Sequence, residues 1–118
     1  MFFSSLLFMC QYQTLYHHPQ HGYVIRCTQC DQVQLGFGFL LLNLTVGGFL
    51  SLHGYLSHCC KQPFENRHIR NRILPTPYDG IQLMMSTEEL EQFFEMLDNA
   101  ESEMRVQELI RLFNRKEE

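Results

Sequence analysis

Two cysteines three positions apart, Cys27 and Cys30, are the residues of this 118-residue chain best suited to chemistry. They enclose Thr28 and Gln29 between two segments whose alternation is typical of β-strands. Two thiolates at the tip of a hairpin can approach one tetrahedral zinc ion, at about 2.3 Å from each sulfur. The pair therefore predicts a zinc knuckle, which needs two further ligands.

Side chains that could complete such a site occur on both sides of the pair. The upstream donors lie on the segment that enters the first predicted strand, next to the tip of the hairpin, and for that reason we favour them. They are Cys10, His17, His18 and His21. The downstream donors are His58, Cys59 and Cys60. We predict zinc as the cofactor, with metal ligands drawn from Cys27, Cys30, Cys10, His18 and His21.

Thiol chemistry is the alternative function of the same pair, in a redox or sensor protein. A thioredoxin-like enzyme needs its C-x-x-C at the start of a helix, because the helix N-terminus lowers the pKa of the first thiol. The residues after Cys30 place Val33 and Leu35 at alternate positions, which predicts a strand. Two other interpretations of the pair therefore stay open: a thiol switch, and two free cysteines in a tight turn.

The cysteine count and the N-terminal segment bear on the compartment. Five cysteines leave one thiol over in any disulfide scheme. Residues 1–8 are mostly apolar, but no Lys or Arg precedes Arg26, and Phe8 and Met9 are too bulky for a signal cleavage site. We expect a loose N-terminus at 1–9 and a cytoplasmic protein without a membrane segment.

Charge is concentrated in the second half of the chain. Residues 1–60 contain one Lys or Arg and one Asp or Glu, whereas residues 61–118 contain eight and twelve. The net charge of −4 disfavours nucleic acid as a partner, because phosphate binding needs a basic excess. The apolar first half favours contact with a protein partner or with a second copy, in a homo-oligomer.

A basic segment could form a separate anion patch. His68, Arg70 and Arg72 alternate along a predicted strand at 67–76 and would share one face. The stronger expectation is an exposed face neutralised by the Glu-rich helix that follows it.

The elements that must position these residues follow one order twice, in strand-turn-strand-helix repeats at about 22–60 and 67–115. A gapless alignment matches Leu44 with Met85 and Thr45 with Ser86, the residue that precedes each helix. We predict an α+β fold with a single domain at 10–118. Its mainly antiparallel sheet has about five strands, and the helices cover one face.

Local signals set the element boundaries. Ser86 and Glu89 form a capping box, which is a strong helix start. We expect a loop at 11–22, Ile69 and Ile73 together on the other face of the strand at 67–76, and a break between two helices at 98–102. No catalytic motif is present, which favours a non-enzymatic binding or regulatory module.

The chain resembles an uncharacterised family of small bacterial proteins of unknown function. The resemblance spans Met9 to Phe113, and Tyr12 stands where members carry a His after the first Cys. It rests on these motifs: Met9-Cys10, Gly22-Tyr23-Val24, Cys27-x-x-Cys30, Gln34-Leu35-Gly36-Phe37-Gly38, Ile73-Leu74-Pro75-Thr76-Pro77 and Ser86-Thr87-Glu88-Glu89-Leu90. The resemblance implies a cytoplasmic single domain, with Cys10, Cys27 and Cys30 as a shared set.

Overall fold

The computed structural model describes residues 11–61 and 67–116, which form six strands and two helices. In chain order these are β1 (Tyr12–His18), β2 (Gly22–Cys27), β3 (Gln32–Phe37), β4 (Leu40–Thr45), α1 (Val46–Cys60), β5 (Arg72–Pro75), β6 (Gln82–Met85) and α2 (Thr87–Lys116). The predicted α+β class is confirmed. The segment predicted to be loose, 1–9, and Cys10 lie outside the described residues.

Strands β1 to β4 form one antiparallel sheet in which each strand pairs with the next along the chain. Strands β5 and β6 form a separate antiparallel hairpin. The prediction of a loop at 11–22 is wrong, because Tyr12 pairs with Cys27 and His18 pairs with Gly22. This extra strand raises the total from the expected five to six.

Both helices pack against one face of the four-stranded sheet. Alternation turns Val24, Val33 and Leu35 to that face, where all three are buried, as the sequence predicts for β3. The helices add the buried side chains Phe49, Leu56, Leu90, Phe93, Met96, Leu97, Ala100 and Met104. Burial of each large apolar side chain stabilises the fold by about 1.5–3 kcal/mol.

Side-chain caps begin both helices. The Thr45 hydroxyl accepts a hydrogen bond from the amide of Gly48 at 2.9 Å. At α2, the amide of Glu89 donates to Ser86 Oγ at 3.1 Å, and the amide of Ser86 donates to Glu89 Oε1 at 2.9 Å. The predicted capping box is confirmed, and such a cap stabilises a helix by about 1 kcal/mol.

The prediction that Arg72 shares an exposed strand face is wrong. Ile73 is 57% exposed, whereas its neighbours Arg72 and Leu74 are buried. The Arg72 guanidinium donates to the backbone oxygen of Cys59 near the end of α1, at 3.2 Å. A polar side chain therefore takes an inward position because it reaches a helix-terminal carbonyl, and a shift of one residue exchanges the two faces of a strand.

Helix α2 is continuous, so the break predicted at 98–102 is wrong. No Gly or Pro interrupts residues 87–116, and Ala100 and Met104 extend the buried face across the expected break. In the described part of the chain, neither helix is long and apolar enough to cross a membrane.

A hairpin followed by a helix occurs twice, as β3-β4-α1 and as β5-β6-α2. Thr45 and Ser86 hold the same place before the two helices, and Leu56 and Leu97 are both fully buried. The helices differ in length, with 15 residues in α1 and 30 in α2. An internal duplication stays a prediction.

Candidate functional site

The cysteine turn, residues 27–31, connects β2 to β3 at the position that the sequence predicts. Cys27 is buried and its Sγ accepts a hydrogen bond from the amide of Gln29 at 3.4 Å, whereas Cys30 is exposed. Neither cysteine is in a disulfide.

Two other segments meet the cysteine turn. The carbonyl of Gln11 accepts hydrogen bonds from the amide of Thr28 at 2.8 Å and from its hydroxyl at 3.1 Å. On the other side, Asp31 Oδ1 accepts from the amide of Val46, the first residue of α1, at 3.3 Å. The turn is therefore held between the start of β1 and the start of α1.

His18 and His21 lie at the opposite end of the β1–β2 hairpin. The six residues of β2 separate them from Cys27, a distance of about 17 Å along an extended strand. His18 Nδ1 accepts from the amides of Gln20 and His21, and the two imidazole rings stack with their centres 4.1 Å apart. The structure does not bring these two histidines to the cysteine turn.

The downstream donors are equally remote. His58, Cys59 and Cys60 end α1, whose first turn lies beside the cysteine turn, so the helix separates them from Cys27 by about 20 Å. Burial raises the pKa of the Cys60 thiol, and the nearby Glu91 carboxylate raises it further. A thiol held in its protonated form is a weak nucleophile and a weak ligand.

The basic segment is matched by carboxylates of α2. Arg70 forms two hydrogen bonds with Glu89, at 2.9 and 3.0 Å, and His68 Nδ1 lies 3.2 Å from Glu88 Oε2. Because Arg72 is buried, it does not share their exposed face. The three residues predicted as an anion patch therefore do not form one surface. Arg70 and His68 contact carboxylates of α2, and Arg72 contacts the end of α1.

One cluster of ionisable residues has no counterpart in the sequence analysis. His53 Nε2 lies 2.9 Å from Asp98 Oδ1, and one ligand atom from each of His53, Asp98 and Glu101 lies within 4.8 Å of the others. The His53 ring stacks on Phe94, and Glu101 also pairs with Arg105 at 2.9 Å. The cluster forms an ion pair between α1 and α2 when His53 is protonated. No spacing signal links residue 53 to residue 98, since packing alone brings them together.

A sequence profile of a family of unknown function (DUF6686) matches residues 9–117, which is nearly the whole chain. The chain belongs to this family. The resemblance to an uncharacterised family is thereby confirmed. No curated protein and no solved structure matches the chain significantly.

This family member exposes large apolar side chains at many described positions, and two groups of them stand out. Phe39, at the turn between β3 and β4, is 98% exposed, and Met84 of β6 is also exposed. The second group lies at the end of α2, where four apolar residues that share one side of the helix are each about half exposed or more, and Leu112 beside them is also exposed. These four are Val106, Leu109, Ile110 and Phe113, which we call the outer stripe. Exposed apolar clusters of this kind are typical of interaction surfaces.

Proposed function

We propose that this protein is a small non-enzymatic binding or regulatory module, stabilised by zinc at the cysteine turn. A binding role is supported by the exposed apolar side chains at Phe39 and along the outer stripe. In the described segments, the polar groups mostly form ion pairs and helix caps, which stabilise the fold. The pairing of Arg67 with Glu91 and of Arg70 with Glu89 leaves little basic surface for a nucleic acid.

The observation that supports zinc is the contact between Gln11 and Thr28. It fixes the backbone at Gln11 against the cysteine turn, at 2.8 Å. Cys10 is the next residue upstream, so the chain connectivity favours it as a third thiolate beside Cys27 and Cys30. His18 and His21 lie at the other end of the β1–β2 hairpin, so the proposed site does not include them. Three cysteines and one further donor make a structural zinc site of the usual kind.

Metal analysis of the purified protein tests this site. Elemental mass spectrometry of protein prepared without chelator or nickel should give close to one zinc per chain. Cys27→Ser and Cys30→Ser should lose the zinc, and Cys10→Ser should weaken its retention against a chelator. Cys59→Ser, at the far end of α1, is the matched control and should keep the metal. Zinc retained by the Cys27→Ser, Cys30→Ser double variant, or absent from the parent, would overturn the zinc site.

A thiol switch is the second candidate, favoured by the exposure of Cys30 on the same turn as Cys27. With glutathione disulfide as oxidant, the Cys30 thiolate would form a mixed disulfide and release one glutathione. Cys27 would then displace the second glutathione and close the ring, so that two thiols are oxidised and one disulfide is reduced. Mass spectrometry should find this reversible disulfide in metal-free protein only if the switch exists. A cysteine turn that stays reduced excludes it.

A further inference from the structure

One imidazole and two carboxylates meet where α1 packs on α2, from His53, Asp98 and Glu101. One ligand atom of each residue lies within 4.8 Å of the other two, and His53 Nε2 is 2.9 Å from Asp98 Oδ1. Zinc lies about 2.0–2.2 Å from protein nitrogen and oxygen ligands, so two of its ligands are separated by roughly 3–3.5 Å. The first two donors are already close to this separation. Rotation of the flexible Glu101 side chain can bring its carboxylate to the same distance.

The two helices hold these donors in place. Residues spaced by four, three and four positions follow one side of α2, and they are Phe94, Asp98, Glu101 and Arg105. The His53 ring stacks on the Phe94 ring, with the ring centres 5.5 Å apart and the planes 14° apart. The stack fixes the plane of the imidazole, so its Nε2 is held beside Asp98. A ligand that is already oriented loses little freedom when it binds an ion.

Burial and charge at the cluster also suit a cation. The side chains of His53 and Glu101 are 21% and 15% exposed, whereas Asp98 is 53% exposed and opens the cluster to water. With His53 neutral, the two carboxylates and the Arg105 guanidinium carry a net charge of −1. Residues 87–104 of α2 contain seven carboxylates and no Lys or Arg, and their field attracts cations to this part of the helix.

We propose that His53 Nε2 and the carboxylates of Asp98 and Glu101 bind one Zn²⁺ ion, with water in the remaining positions. Zinc accepts both nitrogen and oxygen donors, whereas Mg²⁺ and Ca²⁺ favour oxygen alone. The ion takes the place of the proton in the hydrogen bond between His53 and Asp98, so binding releases a proton and weakens in acid. The site uses no residue of the cysteine turn and does not rest on the function proposed above.

The ion joins the two helices, because its ligands come from the middle of α1 and the middle of α2. A metal that binds the folded state and not the unfolded state stabilises the fold by mass action, so added zinc should raise the melting temperature. With three protein ligands and one side open to water, the site should hold zinc more weakly than a thiolate site with four ligands. It therefore empties during purification and is filled by added zinc.

Arg105 competes with the ion for one ligand. Its Nε lies 2.9 Å from Glu101 Oε1, one turn along α2. Ion pairs of this kind on a helix surface contribute little to stability, so Arg105→Met should stay folded. The variant removes a positive charge next to the site and frees the Glu101 carboxylate. It should therefore bind zinc more tightly than the parent, which a purely structural role of the cluster does not explain.

Isothermal titration calorimetry of the full chain with Zn²⁺ tests the proposal. Asp98→Asn and His53→Gln should each weaken binding by more than about tenfold, because changes to residues that only support a metal ligand already cost about 10–100-fold in affinity. Arg105→Met should strengthen binding several-fold. Glu95→Gln and His58→Gln are the matched controls, since they remove a carboxylate of α2 and an imidazole of α1 outside the cluster. Both should bind zinc as the parent does.

Cobalt(II) separates this site from any cysteine site, because thiolate ligands give bound cobalt an intense charge-transfer band in the near ultraviolet. The cobalt that depends on Asp98 should bind without this band. Three outcomes would overturn the proposal: a parent that binds metal only with the thiolate band, an affinity unchanged in both Asp98→Asn and His53→Gln, and no tighter binding by Arg105→Met. Circular dichroism should show each variant folded. None of these variants changes a cysteine, so failure here leaves the zinc test of the cysteine turn unaffected.

Discussion

Phe93 and Phe113 belong to the same helix but to different environments, with 0% and 67% of their surfaces exposed. The first part of α2 packs on the sheet and on α1, whereas the last turns carry apolar residues on the side away from both. Residue type alone does not separate these roles. What separates them is the direction of each side chain relative to the one sheet face that the helix covers.

The two parts of α2 also differ in what holds them. A capping box fixes the first turn, and Arg67, His68 and Arg70 pair with its carboxylates. The last turns have pairs within the helix itself, Arg105 with Glu101 and Arg111 with Glu108. Residues of other segments thus fix the start of the helix, whereas the two ion pairs farther along it lie within the helix.

The largest expected effect comes from truncating one phenylalanine in each part. Phe93→Ala should lower the free energy of unfolding by about 3–5 kcal/mol, since it removes a fully buried ring. Phe113→Ala should change it by no more than about 0.5 kcal/mol in dilute protein, because the ring is already in contact with water. Urea unfolding at low concentration measures both. Equal losses would show that the end of α2 belongs to the core.

A smaller effect is expected at the capping box. Ser86→Ala should lower the free energy of unfolding by about 1 kcal/mol, because the amide of Glu89 loses its acceptor. Ser102, which is exposed within the helix, is the matched control. Its replacement by Ala should leave stability unchanged or slightly raised, as Ala favours helix. Thermal unfolding compares the two variants. Similar losses of stability would show that the hydrogen bond to Ser86 does not stabilise the helix.

The smallest effect is a dependence on pH at Glu89. The hydrogen bonds from Arg70, with help from the Ser86 amide, hold the pKa of this carboxyl below its usual range. Its contribution to stability is therefore complete above about pH 4.3, the unfolded value, and is lost as the pH falls through the folded value. The contribution is small, because the pair is partly exposed and solvent screens it.

Unfolding of Glu89→Gln as a function of pH measures this contribution. The variant should be less stable than the parent at neutral pH and should approach it below pH 4. Glu95→Gln, an exposed carboxylate farther along α2, is the control and should follow the parent at every pH. A difference between Glu89→Gln and the parent that persists at low pH would assign the loss to packing.

Signals within a few residues of one another were predictable from the sequence. The capping box requires only Ser86 and Glu89, and the inward side of β3 follows from the alternation at Val33 and Leu35. Strand β1 was missed because Leu15 is its one buried position, so that little alternation is visible. Edge strands that bury a single side chain carry a weak pattern.

The site was predictable in part for the same reason. Cys27 and Cys30 are close in sequence, and their place at the tip of a hairpin is correct. His18 and His21 were grouped with them by sequence distance, but a strand between two residues separates them in space. The inward position of Arg72 depends on the carbonyl of Cys59, and the His53–Asp98 pair depends on helix packing. Neither contact could be predicted from the spacing of residues along the sequence.

The order in which the elements pair has a consequence for synthesis on the ribosome. Strands β1 to β4 pair with their neighbours along the chain, so the sheet can close through short turns as soon as it emerges. Its apolar face, with Leu15 and Val24, is covered by α2, which is made last among the described elements. Until residues 87–104 have left the exit tunnel, the nascent sheet keeps part of that face open to other chains and to chaperones.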